Sequence, residues 1–179
     1  VDGQPLIDEA TVRRWQSSIG YVPQQIMVVD ATVAQNVALG VPDDEIDLAR
    51  VEAACRAAAL HDFVTTRLPY GYDTLVGERG IRLSGGQRQR IGIARALYRA
   101  PSVLVFDEAT SAVDNETERA ILEAVEQLRG QCTIILIAHR LTTVRDADRI
   151  FLLEEGRLIA QGTWNQLSAT SPAFQRLSA

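Results

Sequence analysis

Short apolar runs alternate along this chain with stretches in which apolar residues recur at helical spacing. Val103–Asp107 and Thr133–Ala138 are nearly continuous in apolar character, the pattern of strands in a parallel sheet. Ile19–Val22, stopped by Pro23, predicts a further strand. Between the first and second of these, the apolar positions turn helical. Thr32 is placed to cap a short helix ending at Gly40, an alanine-rich helix follows over 46–60, and Phe63, Val64 and Leu68 continue a helical patch. Ile91, Ala94, Leu97 and Tyr98 form one face of a helix running from Ser84 to about Tyr98. Ile121, Leu122, Val125 and Leu128 are the stripe of another, closed by Gly130. Arg149–Leu153 and Arg157–Gln161 flank Glu154-Glu155-Gly156 and predict a hairpin. Gly162-Thr163 starts a helix through Leu167, and Pro172–Leu177 a last one. At the other end, Thr11–Gln16 predicts a short polar helix, and Val1–Asp8 a strand or turn piece with Asp2-Gly3 as the turn signal.

Strands separated by helices imply an α/β core of mostly parallel strands with a helical subdomain inserted over about 25–100, the remainder of the core occupying 101–179. The chain has 179 residues, 46% hydrophobic and 23% charged, enough for a sizeable core. A net charge of −5 opposes a general nucleic-acid partner, which needs a basic face. Cys55 and Cys132 lack metal-ligand spacing and are expected as free buried thiols.

Two devices of phosphate chemistry stand close together. Ser84-Gly85-Gly86 opens a helix whose first backbone N–H groups are available to an anion. Asp107 and Glu108 place two carboxylates at the C-terminal end of a strand, the edge at which open α/β sheets bind ligands. His139, following Thr133–Ala138, falls on the same edge. The basic residues of the helix after Ser84, namely Arg88, Arg90, Arg95 and Arg99, are expected mostly on solvated faces. His61 is expected at a helix surface or as a capping residue.

Leu83-Ser84-Gly85-Gly86-Gln87 resembles the signature motif of ATP-binding cassette (ABC) proteins. Val103–Glu108 is similar to their Walker B strand and its following glutamate, and Ser111-Ala112-Val113-Asp114 to the D-loop, with Val113 where leucine is more usual. Tyr21-Val22-Pro23-Gln24 resembles the Q-loop, Ile137–Leu141 the H-loop, and Val76-Gly77-Glu78-Arg79-Gly80 the X-loop of exporter-type members. Three of these motifs follow in order within Arg82–Asp114, and the likeness extends over nearly the whole chain, with some flavour of bacterial flippases for lipid-linked oligosaccharides.

The resemblance implies a P-loop NTPase fold, ATP and Mg²⁺ as ligands, and ATP hydrolysis by an in-line water. It implies that Asp107 holds the metal, that Glu108 is the general base, that Gln24 bridges metal and water, and that His139 contacts the γ-phosphate. Ser84, Gly85, Gly86 and Gln87 would meet the nucleotide of a second, head-to-tail ATPase domain, with Asp114 addressing the opposite site. The implied partner is the transmembrane domain of the same transporter, at the cytoplasmic face of a bacterial inner membrane. All 18 basic residues are arginine, so the lysine of a G-x-x-x-x-G-K-[ST] phosphate loop is absent. The expectation is that the loop precedes Val1 and that the chain alone is inactive. A soluble ABC ATPase and a non-catalytic module derived from one are the competing readings.

Overall fold

The computed structural model describes residues 1, 3–108, 115–138 and 140–178. The chain divides into two compact units, Val1–Ile137 and Ala138–Ala179.

The first unit is built on three parallel strands in the order β1 (Ile19–Val22), β4 (Val103–Asp107) and β5 (Thr133–Ile137). Ile19 is level with Val103, and Val103 with Thr133. One face carries Val22, Leu104 and Phe106 into the core, where they meet residues of α5 (Gly85–Tyr98) and the Ile121, Val125 and Leu128 stripe of α6 (Asn115–Gln127). On the other face, Tyr21, Ile135 and Ile137 remain 53%, 48% and 49% exposed. Burial therefore alternates along β4 and β5 rather than running continuously. Their composition fits two covered faces, and one is covered among the described residues.

α1 (Glu9–Ser17) precedes β1, capped reciprocally by Asp8 and Thr11. Among the described residues of 1–8 there is a turn at Gly3 and no strand. Between β1 and β4 lies the helical subdomain. It comprises β2 (Ala31–Thr32), α2 (Val33–Val37), α3 (Leu48–Ala57), α4 (His61–Arg67), β3 (Leu75–Val76) and α5. Thr32 caps α2 through a box with Gln35, as expected from its sequence. α3 is shorter than the apolar spacing suggests, because Asp43–Glu45 is a 3-10 turn and Asp47 caps the helix instead. α2 and α3 both pack on α5. β2 and β3 pair antiparallel, a short ladder that the sequence reading leaves as loop.

Of the α5 arginines, Arg88 and Arg99 are exposed, as expected, and Arg90 and Arg95 are half-buried, yet all four donate to backbone carbonyls. Arg88 donates to Leu83 O, Arg90 to Ala59 O, Arg95 to Asn36 O and Met27 O, and Arg99 to Leu39 O. Each long side chain reaches a carbonyl left over at a turn or helix end, which spacing alone cannot reveal. His61 Nδ1 lies 2.8 Å from the Tyr72 hydroxyl. Cys55 and Cys132 are both free; Cys55 is buried and Cys132 partly exposed. The second unit contains the expected hairpin, β6 (Ile150–Glu154) and β7 (Arg157–Gly162), followed by α7 (Trp164–Thr170) and α8 (Pro172–Ser178). Phe174, Leu167 and Ile150 form its small core. No helix among the described residues is long and apolar enough to cross a membrane.

Candidate active site

β4 ends on Asp107, and Glu108 follows in the left-handed region at φ 50°. A glutamate seldom adopts that conformation, and such strain concentrates at functional sites. The turn is held because the Glu108 N–H donates to Ile137 O at 3.0 Å, continuing the contact with β5 one residue past the ladder. Residues in an unbroken strand alternate between faces; leaving the strand at Glu108 changes that alternation just where the two carboxylates adjoin.

Each carboxylate has a partner from β1 or the loop after it. Gln24 Nε2 donates to Glu108 Oε2 at 2.9 Å, and the Tyr21 hydroxyl donates to Asp107 Oδ2 at 2.7 Å. Both bonds follow from the register. Tyr21 is level with Val105, two residues before Asp107, so the two side chains share a face of the sheet. Pro23 ends β1, and the chain then carries Gln24 past the end of the neighbouring strand. The Tyr21 phenol is held above its ordinary pKa chiefly by its hydrogen bond to the Asp107 carboxylate, with smaller contributions from burial and charge.

Ser84 caps α5. Its Oγ accepts from Gln87 N at 3.2 Å, and Gln87 Oε1 accepts from Ser84 N at 2.8 Å. This reciprocal box occupies both polar side chains of the signature turn with each other. It leaves the Gly85 and Gly86 amides at the first two helical positions, where geometry provides no intrahelical acceptor. Such a turn suits an anion.

The structure thus brings Gln24, Asp107 and Glu108 together and forms Ser84–Gln87 as a separate helix start. Asp114, with the rest of Ser111–Asp114, and His139 lie outside the described residues. Tyr21 as the partner of Asp107 is missed when the sequence is read in motifs; the available signal is parity, since Tyr21 and Asp107 each lie an even number of residues from the paired strand starts Ile19 and Val103 and so share a face. The loop at Val76–Gly80 is shaped around Asp30. Asp30 accepts from Arg79 N at 3.0 Å and lies 3.5 Å from the Arg79 guanidinium. Gly77, at φ 111°, has no room for a Cβ beside Asp30.

A helix start with open backbone amides and a carboxylate pair at a strand end, on this α/β core, are groups suited to a phosphate ligand and a divalent metal. The family model described as ABC transporter matches residues 1–111, and the chain belongs to that family. It is 45% identical to the ATP-dependent lipid A-core flippase of Chromohalobacter salexigens, over 98% of this chain and 31% of the flippase. It is 47% identical to the ABC multidrug transporter mdr4 of Aspergillus fumigatus, over 97% of this chain and 13% of that protein. It is 46% identical to the ATM1-type heavy metal exporter of Novosphingobium aromaticivorans, over 91% of this chain and 26% of the exporter. The structure of a bacterial Atm1-family ABC exporter with ATP bound superposes with a TM-score of 0.85 at 41% identity, covering 99% of this chain and 30% of that one. The chain therefore spans less than a third of the length of these relatives.

Proposed function

We propose that this chain is the larger part of the ATPase domain of an ABC exporter, and that its parent couples ATP hydrolysis to export across a membrane. The observation that carries the reading is the Gln24–Glu108 hydrogen bond beside Asp107 at the end of β4. The relatives supply the context: their names describe ATP-dependent flippases and exporters, and the structural neighbour holds ATP. Their cargoes differ, from lipid A-core to heavy metals. A shared ATPase domain alongside diverse cargo is what results when another domain selects the substrate.

Mg²⁺ prefers one or two carboxylates completed by water and phosphate oxygens. Asp107, Glu108 and the Gln24 amide are hard oxygen donors of that type, so the donor set fits. Among the described residues there is no cluster of three or more His, Cys, Asp or Glu that could hold a metal without such help. Asp107 would hold the ion, largely through water, with Gln24 Oε1 as a further ligand. When bound, the ion neutralises charge on the phosphates.

Catalysis by the chain's own residues is positional and electrostatic. Glu108 takes a proton from the attacking water as general base. Gln24, tied to Glu108 through Nε2, orients that carboxylate and the water. His139 supports the γ-phosphate. The Ser84–Gln87 turn closes on the nucleotide of a second ATPase domain in a head-to-tail dimer, and Asp114 faces the opposite site. The transmembrane domain of the parent is the other partner, with this domain on the cytoplasmic side. With no lysine in the chain, the phosphate cradle must come from elsewhere in the parent, and the 179-residue chain alone is inactive.

The test is ATP turnover by the purified full-length parent carrying Glu108→Gln. The expected loss is about 10²- to 10⁴-fold, the range of a general base, with ATP binding retained. Turnover within a few-fold of wild type would remove Glu108 from the reaction.

A further inference from the structure

A carboxylate at the end of a strand is fixed at its backbone but turns easily about its last torsion, whose energy wells are broad. Asp107 is not left to turn. The Tyr21 hydroxyl donates to Oδ2 at 2.7 Å, and among the described residues it is the only hydrogen-bond partner of that carboxylate. Oδ1 stays open. The donor stands on a firm base, because Tyr21 is level with Val105 while its neighbours Gly20 and Val22 are level with Leu104 and Phe106. A phenol has only two side-chain torsions, so on a paired strand its hydroxyl is close to a fixed point beside the end of β4.

Packing does not call for that hydroxyl. The face of the sheet that carries Tyr21 also carries Ile135 and Ile137, and all three are exposed. Phenylalanine or an aliphatic residue would suit the strand and the face as well. Among the described residues, the phenol oxygen meets Asp107 and no other group.

We infer that Tyr21 is a positioning residue for the metal ion: its hydroxyl holds Oδ2 of Asp107, so that Oδ1 is presented, already oriented, to Mg²⁺ or to one of its waters. Mg²⁺ tolerates little departure from octahedral geometry, and it gains from a carboxylate that need not be ordered on binding. Glu108 is tied separately, to Gln24. Tyr21 therefore bears on ion affinity and leaves the proton-accepting group where it is. This inference rests on the ATPase reading above.

The experiment compares the full-length parent with its Tyr21→Phe variant, which keeps the ring and removes only the hydroxyl. Mn²⁺ is titrated onto each protein with a non-hydrolysable ATP analogue bound, and binding is read by electron paramagnetic resonance. Loss of an outer partner of a metal-binding carboxylate is expected to weaken Mn²⁺ binding about 10-fold, while affinity for the analogue without metal changes less than about 2-fold. In turnover, the Mg²⁺ concentration giving half the maximal rate should rise by a similar factor, and the rate lost at low Mg²⁺ should return at high Mg²⁺. A merely structural role would not give that split, since a distorted sheet edge lowers metal-free nucleotide binding or the rate at saturating Mg²⁺. Tyr21→Leu also lacks the hydroxyl and should weaken Mn²⁺ by the same factor.

Unchanged Mn²⁺ affinity in Tyr21→Phe, or a lost rate that high Mg²⁺ does not restore, would each overturn the inference. A wild-type parent that binds neither the analogue nor Mn²⁺ would instead defeat the functional reading on which it rests.

Discussion

Asn36 should prove a keystone of the helical subdomain out of proportion to its size. Its side chain is fully buried and makes three well-formed hydrogen bonds to backbone: 2.9 Å from Val29 N, 3.0 Å to Val29 O and 3.1 Å to Thr32 O. A fourth, to Ala31 O at 3.4 Å, is weak. Asn36→Ala deletes them all; the Val29 N–H loses its acceptor, while Val29 O keeps the Ala31 N–H at 2.8 Å. At about 1 kcal/mol per bond, the expected loss is about 3 kcal/mol; water entering around half-buried Val29 would reduce it and unsatisfied groups would increase it. For a chain of this size that corresponds to a fall in Tm of about 6–12 °C. Asn36→Asp should also destabilise: the carboxylate keeps the Val29 N–H and faces Arg95 Nη2, which is 3.5 Å from Asn36 Oδ1, but it opposes the carbonyls that Nδ2 had served. The assay is reversible thermal or urea unfolding followed by far-ultraviolet circular dichroism, with the three proteins compared under one set of conditions. A loss below about 1 kcal/mol for Asn36→Ala would refute the reasoning, since it would mean these buried bonds are replaced by water at no cost.

Other consequences can be checked on the same material. The raised pKa of Tyr21 comes mainly from donating to the Asp107 carboxylate; Asp107→Asn should bring one phenol back toward its ordinary value in an ultraviolet phenolate titration. An unchanged titration would separate the two residues. Whatever this bond adds to stability is present below the unfolded phenol pKa and is lost as pH rises through the folded one. Burial pushes the Cys55 thiol up to about 12, so an aromatic disulfide reagent at mildly alkaline pH should label Cys132 in the folded chain and Cys55 only after denaturant is added. Labelling of both at one rate would contradict the packing of α3. Finally, the isolated 179-residue chain should show no ATPase activity above background, and a clear rate would disprove the need for a phosphate cradle from the rest of the parent.

Much of the local structure is legible in residue pattern because its causes are local. Thr32-x-x-Gln35, Ser84-x-x-Gln87 and Thr163-x-x-Gln166 all form the reciprocal cap that their spacing encodes. Three strands and the hairpin lie within a residue or two of where apolar runs and the Glu155-Gly156 turn place them. Departures occur where a local rule has competition. Apolar spacing alone carries a helix back to Ile46, but an acidic turn and an Asp47 cap begin it at Leu48. The Leu75–Val76 strand exists only because Ala31–Thr32 comes alongside it.

The family is legible through the resemblance of its motifs, and the residues beside that resemblance show two local features: open amides at a helix start, which suit phosphate, and carboxylates at a strand end, which suit a metal. Neither feature refers to distant residues. Partnership is another matter. That Gln24 meets Glu108, that Tyr21 meets Asp107, and that Arg95 grips Met27 and Asn36 are contacts spanning 84, 86, 68 and 59 residues of sequence. Contacts at such separations depend on strand register and helix packing, which the whole core decides at once. The α5 arginines make the point most directly. In helical projection they look like a solvated face, and only the fold shows that each finds a carbonyl to hold.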